Sequence, residues 1–528
     1  MSRTRRILGG ATVGYAHQAA VILLGLWLTP FLLHRVGQRE YGLWLVAGQL
    51  LGYLVLLDLG VLAILPREVA HASGQSGIEG AGDRIAGLIA QVRKIVRWQL
   101  PGLAVACALM WWFLPAQWVA LKWPLLPVFV AFLALYPLRV LSAALQGVQD
   151  LSFLATGQMA GWALGTAVTI ALVVAGYGLY ALVLGWIVTL TVPAVAAWWR
   201  ARQLWPDARS ARDSRPVRQY FNRSIWVSAG QISQALLAGS DVLLLGTILG
   251  PVAVVPYACT GKLVTVFANH PQLLMHVAQP ALTELRGLGS RERLRIVATA
   301  LTQAMLMMSG ALIVAILPVN HYFVNWWVGP GQYGGWWLTV AFAGMMLVRH
   351  WNVATTFTLF CFGYERQLAF TALADGVVTV ATTALFAWKW GPIGAPIGSM
   401  IGAVTVSLPL NVRSVAHEMG VPIRSFLGTI MPLLGRIVAI GAAAAIVSIW
   451  LSGRSFGTVL LLLIPTVALY GVAVVPLAWN GPVGPYLRMA LQMNRRDNPT
   501  PAGWQRTVGK FSGRLDRWFV QLLDTKQG

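Results

Sequence analysis

Long apolar stretches separated by short, mostly basic polar segments run the length of the 528-residue chain. A membrane-spanning helix needs about 20 consecutive, mostly apolar residues. By that measure fourteen stretches qualify, centred near residues 23, 53, 108, 134, 164, 188, 236, 266, 308, 348, 378, 401, 438 and 466. They predict an all-α polytopic membrane protein. The polar segments alternate in charge. With the N-terminus in the cytoplasm, one side collects 30 of the 39 Lys and Arg residues: Arg3, Arg5 and Arg6, the segments 67–98, 200–223 and 284–295, Arg366, Arg413, Arg424, and the tail 479–528. The other side holds only Arg35, Arg39, Lys122, Lys389 and Arg454. The positive-inside rule then predicts that both termini are cytoplasmic.

The spans repeat. GQREYGLWLVAGQL (37–50) aligns with GPVAVVPYACTGKL (250–263) at an offset of 213, and Gly147/Gly363, Gly178/Gly394, Thr189/Thr405 and Pro193/Pro409 align at 216. Six spans per copy is an even number, so both copies enter the membrane in one orientation. Two six-helix lobes related by a pseudo-twofold along the membrane normal are expected, with a cavity between them. The expected division is an N-terminal lobe 1–200, a basic cytoplasmic linker 201–223, a C-terminal lobe 224–412, an appended helix pair 426–478 and a basic cytoplasmic tail 479–528.

Composition narrows the functions. The chain is 57% hydrophobic and only 11% charged, with mean hydropathy +0.66, whereas soluble domains carry about 25% charged residues. The net charge of +22 sits between spans, which argues for contact with anionic membrane lipids and against nucleic acid. Cys107, Cys259 and Cys361 fall inside apolar stretches without metal-ligand spacing, so no metal or other cofactor is expected. The outer loops are short; the longest, 320–336, is aromatic-rich. None could be a folded domain bearing acid–base residues, which argues against an enzyme. Residues 78–98 and the tail stripe Trp504, Val508, Phe511, Leu515, Trp518, Phe519 and Leu522 read as amphipathic helices on the inner leaflet.

Candidate chemistry lies in charges within the spans, each costing about 2.5–3.5 kcal/mol on insertion scales. Arg139, Lys262, Arg349 and Arg436 are the cations, and Asp58, Asp241 and Asp375 the acids. Arg139, Lys262 and Arg349 come from the fourth, eighth and tenth spans, and converging on one cavity they would suit an anionic substrate such as a diphosphate. Against this, Arg139 near a helix end could snorkel, as Arg436 is expected to, and Asp241 could pair with Lys262 across neighbouring helices. The three carboxylates are candidates for coupling to H+ or Na+, or for plain interhelical hydrogen bonds.

The motifs VGQREYGLW…LLDLG…PRE (36–68), ALQGVQDLSFLATGQ (144–158), SDVLLLGTILGPVAVVPY…QPALTEL (240–285) and FGYERQLAF (362–370) resemble the Wzx-like lipid-linked oligosaccharide flippases, the polysaccharide-biosynthesis branch of the multidrug/oligosaccharidyl-lipid/polysaccharide exporter superfamily. The resemblance covers the first twelve spans. It implies a bacterial inner-membrane protein that moves a polyprenyl-diphosphate glycolipid outward by alternating access, next to a polysaccharide polymerase and chain-length regulator. It also marks Arg67 and Asp241 as recurrent positions. A drug/cation antiporter of the superfamily, a lipid II flippase and a membrane glycosyltransferase or polymerase are the competing readings.

Overall fold

The computed structural model describes residues 3–56, 60–75, 81–206, 230–237, 239–287, 291–451, 456–485 and 488. They are 92% helical, with no strand among them. In order the helices are α1 (Arg3–Val36), α2 (Gln38–Leu56), α3 (Val61–Gln75), α4 (Ala81–Trp112), α5 (Lys122–Leu135), α6 (Arg139–Gly147), α7 (Leu151–Val174), α8 (Leu179–Leu204), α9 (Gly230–Leu237) and α10 (Ser240–Ile248). There follow α11 (Pro251–Thr260), α12 (Lys262–Phe267), α13 (Asn269–Gly287), α14 (Arg291–Val328), α15 (Trp336–Cys361), α16 (Glu365–Trp390), α17 (Gly394–Gly402), α18 (Leu408–Glu418), α19 (Ile423–Leu451) and α20 (Phe456–Trp479).

All fourteen predicted centres fall within helices. Length and apolarity alone certify fewer crossings among the described residues: eight continuous segments, or ten if two bent helix pairs each form one span. The difference is local. Helices α2, α4 and α15 carry polar residues along their length, and residues 365–418 merge two predicted spans into one segment. Asp58, most of the linker 201–223 and the tail stripe 504–522 lie outside the described residues.

The segment expected to lie on the membrane surface does something else. Residues 81–98 form the first half of α4, and their apolar face, including Ile85, Ile89, Val92 and Val96, is buried within the protein. The amphipathic period was legible, but protein rather than lipid covers it.

By packing, the chain groups into two compact units: residues 1–266, 320–345 and 369–407, and residues 267–319, 346–368 and 408–528. In the first unit, helices approach through small residues. Gly157, Gly161 and Gly165 recur every fourth position on α7, and a Cβ on Gly161 would stand 2.7 Å from Pro193 Cδ of α8. The same device returns on α17, where Gly394, Gly398 and Gly402 face α16 and a Cβ on Gly398 would stand 2.5 Å from the Thr383 nitrogen. In lipid such close backbone approach supplies the dispersion that hydrophobicity cannot.

In the second unit the appended pair packs on α14. Tyr470 donates to the Met307 carbonyl at 2.6 Å, Ser448 to the Leu317 carbonyl at 3.1 Å, and Gln303 to the Thr429 carbonyl at 3.0 Å. Arg436 donates to the Ala473 carbonyl of α20 at 2.6 Å. The outward faces bear Leu461, Ile464 and Val472, each about seven-tenths exposed, surface that fits acyl chains and not water. At one end, Glu418 accepts from Tyr364 at 2.9 Å and pairs with Arg286 at 3.4 Å, tying α13, the 362–364 turn and α18 together. That hydrogen bond, and secondarily burial, holds the Tyr364 hydroxyl above its ordinary pKa of 10.0.

Candidate functional site

Within the first unit, α6 carries a polar stripe on an otherwise apolar helix. Arg139, Ser142 and Gln146 stand at i, i+3 and i+7 and so share one face, while Val140, Leu141, Ala144 and Leu145 are buried. Gly147 closes the helix tightly against α3: a Cβ there would lie 2.6 Å from Val69 Cβ and 2.7 Å from the Pro66 carbonyl. The following turn is pinned to α8 by the Arg200–Asp150 ion pair at 3.0 Å.

The stripe faces a cavity of about 750 Å³, within the roughly 300–1,000 Å³ span of ligand sites. Its walls are apolar segments of α7 and α8, including Leu154, Leu190 and Pro193, with Leu62 from α3. Its polar lining is Arg139, Ser142, Gln146, Gln158 and Gln231, and Arg139 is the sole charged lining residue among those described. The buried Gln231 side-chain oxygen accepts no hydrogen bond among the described residues, which leaves it available to a ligand hydroxyl. Arg139 also lies 5.7 Å from the Tyr136 ring centroid, an orienting cation–π contact. Such a site can bind an anion through a guanidinium and neutral hydroxyls through amides. Only Arg139 was singled out from sequence; the i, i+3, i+7 spacing of Ser142 and Gln146 was the overlooked signal.

The other predicted residues fall elsewhere. Lys262 is partly buried at the start of α12, in the same unit but outside the cavity lining. Arg67 is exposed on α3 and does not line the cavity, although Leu62 of the same helix does. Arg349 belongs to the second unit. It begins a stripe like that of α6, followed at i+3 and i+7 by Asn352 and Thr356, both of which accept from Asn411 Nδ2, at 2.9 and 3.2 Å. The residue after Arg349, buried His350, shares a 2.6 Å hydrogen bond with Ser309.

The carboxylates are bonded. Asp241 is taken by the Tyr257 hydroxyl of α11, so tyrosine and not Lys262 is the partner that the described residues supply. Asp375 is fully buried, accepting from Ser407 at 2.6 Å and from Thr379 at 3.0 Å. Residues 403–407 beside it form a π-helical turn, a deviation that recurs at functional positions.

Comparison with known proteins fits this picture. Two solved structures share the scaffold. One is an inward-facing conformation of a multidrug resistance MATE family transporter of the MOP superfamily, 14% identical, covering 77% of this chain and 98% of that one, with a TM-score of 0.56. The other is the lipid II flippase MurJ in an inward closed conformation, 12% identical, covering 89% and 97%, with a TM-score of 0.54. Identities this low speak for the fold alone. The protein is therefore a multi-pass membrane protein that shares the all-helical fold of these two transporters. Separately, residues 124–329 match the family described as polysaccharide biosynthesis protein, and the matched stretch contains Arg139, Asp241 and Lys262. The Wzx-like resemblance of the sequence agrees with both. No curated protein matches the sequence.

Proposed function

We propose that the protein is a non-enzymatic flippase that moves a polyprenyl-diphosphate-linked oligosaccharide, an O-antigen or exopolysaccharide repeat unit, from the inner to the outer leaflet of a bacterial plasma membrane by alternating access. The observation that carries this reading is the cavity bearing Arg139 beside amide and hydroxyl groups. Bare diphosphate crossing hydrocarbon faces a Born penalty of tens of kcal/mol. A guanidinium that binds its oxygens bidentately removes much of that barrier, while Ser142, Gln146, Gln158 and Gln231 suit sugar hydroxyls. A cation antiporter would instead need carboxylates facing the cavity, and none is among the described lining residues.

In this reading the repeat units form two lobes, 1–200 and 224–412, and both termini are cytoplasmic. Lys262, Arg349 and Arg67 are the further candidate substrate-binding cations. Asp58, Asp241 and Asp375 are the sites for H+ or Na+ coupling, and a polymerase and chain-length regulator take the product onward. The test replaces Arg139 by Gln, and Lys262 and Arg349 by Ala, in cells whose surface polysaccharide depends on this protein. Export should collapse while membrane levels of the protein stay normal. Undiminished export in all three would overturn the cationic-cavity mechanism.

A further inference from the structure

A second, smaller cavity of about 290 Å³ lies across α6 from the first, between α4, α6 and the end of α8. Leu141, which points away from the Arg139–Ser142–Gln146 stripe, forms its floor. Arg93 of α4 and Arg202 of α8 flank it, and Trp198 and Trp205 wall it. No carboxylate is among its described lining residues. The Arg202 guanidinium sits 3.9 Å from the Trp198 ring centroid, a stacked arrangement that fixes the plane of its donors. Trp205 is 8% exposed, and its amide closes back on the Ala201 carbonyl at 2.8 Å, so this wall is firmly built. The nearby Arg200 is already engaged by Asp150. In the flanking stretches of α4 and α8, exposed Trp98, Val195, Trp199 and Leu204 alternate with exposed Lys94, Arg97 and Gln203, the mixture of apolar and basic groups found at a membrane interface.

Two guanidiniums beside tryptophan walls, bordered by exposed apolar surface, combine the chemistry of a phosphate site with that of a membrane interface. We propose that this pocket binds the phosphate of an anionic lipid headgroup, with the acyl chains covering the apolar rim. The site is separate from the transport cavity and does not depend on what that cavity carries. Free phosphate shares the headgroup's chemistry but not its chains, and the rim favours the lipid.

The test uses the full-length protein in neutral detergent, titrated with phosphatidylglycerol, phosphatidylcholine or inorganic phosphate and read by native mass spectrometry. Phosphatidylglycerol is expected to be retained over phosphatidylcholine. Arg93→Gln and Arg202→Gln should each weaken retention about fivefold, the value of one basic residue at an anionic surface. Together they should weaken it more than either alone, whereas Lys94→Gln, an exposed neighbour on α4, should change nothing. Inorganic phosphate should not displace the lipid at equal concentration, because it lacks the chains that cover the rim; displacement at equal concentration would overturn the assignment to a lipid. Wild-type retention in the double variant, or equal loss in Lys94→Gln, would overturn the proposal. If the double variant is not recovered folded, Arg202→Gln alone, at an exposed side chain, carries the same test.

Discussion

Helix α2 meets α11 without room for a methyl group. A Cβ on Gly42 would fall within contact distance of the Pro251 carbonyl, with Val255 Cγ2 3.3 Å away. Around this point a row of hydrogen bonds joins α2 and the 116–121 turn to α10, α11 and the loop after α14. Gln38 donates to the Val252 carbonyl at 3.0 Å, Gln332 to Gln38 at 3.1 Å, and Trp118 to the Gly246 carbonyl at 2.9 Å; Gln117 reaches the Thr247 carbonyl. The alternating access proposed above requires such a seam to open. Gly42→Ala presses on backbone, which cannot rotate away, so α2 must separate from α11. Overpacking costs about 1–3 kcal/mol. Losing one seam hydrogen bond adds about 0.5–1.5 kcal/mol. Alanine's better helix propensity, at most about 1 kcal/mol, acts equally in both states and cancels. The net bias of about 1.5–4.5 kcal/mol should raise the open-to-closed ratio at least roughly tenfold. Spin labels at Arg39 and Val252, both exposed beside the seam, would report it as a shift in a pulsed electron resonance distance distribution. An unchanged distribution in Gly42→Ala would refute the reasoning, since no rotamer change can relieve that overlap.

Three further outcomes follow from particular residues. Cysteines placed at Gln203 and Gly331, the latter with open space where its Cβ would stand, should label from opposite faces of the membrane, and labelling from one face would reverse the proposed topology. Arg139→Lys should retain less transport than wild type but more than Arg139→Gln, because lysine keeps the charge and loses the bidentate fork; in vitro flipping of a fluorescent polyprenyl-diphosphate oligosaccharide would measure the order. The Tyr364–Glu418 hydrogen bond favours the neutral phenol, so its stabilisation is present at neutral pH and is lost as pH rises through the elevated Tyr364 pKa, above about 10. The thermal-stability gap between wild type and Tyr364→Phe should therefore close in that alkaline range, and a gap independent of pH would exclude the tyrosine as its source.

The helices themselves were legible because spanning length is a local property. About 20 apolar residues must satisfy their own backbone in lipid, whatever surrounds them. The same logic made Arg139 visible, since a charge inside such a stretch is costly wherever it points. Which face each helix turns inward was not legible. In a soluble helix, water and core differ sharply and leave an apolar stripe, but lipid and core are both apolar, and α7 has almost no preferred side by composition. Only packing decided that Ser142, Gln146, Gln158 and Gln231 share a cavity with Arg139. Packing also gave Asp241 to Tyr257 instead of Lys262, and it covered the amphipathic start of α4 with protein. The repeated glycines could be counted in the sequence, yet their use as helix contacts at Gly161 and Gly398, and at Gly42 as the tightest point of a seam, depends on what stands opposite each one. Sequence alone determined that this chain is a multi-pass membrane protein built of apolar helices. Tertiary structure decided where those crossings leave a polar space, because that depends on pairs of faces and not on any one of them.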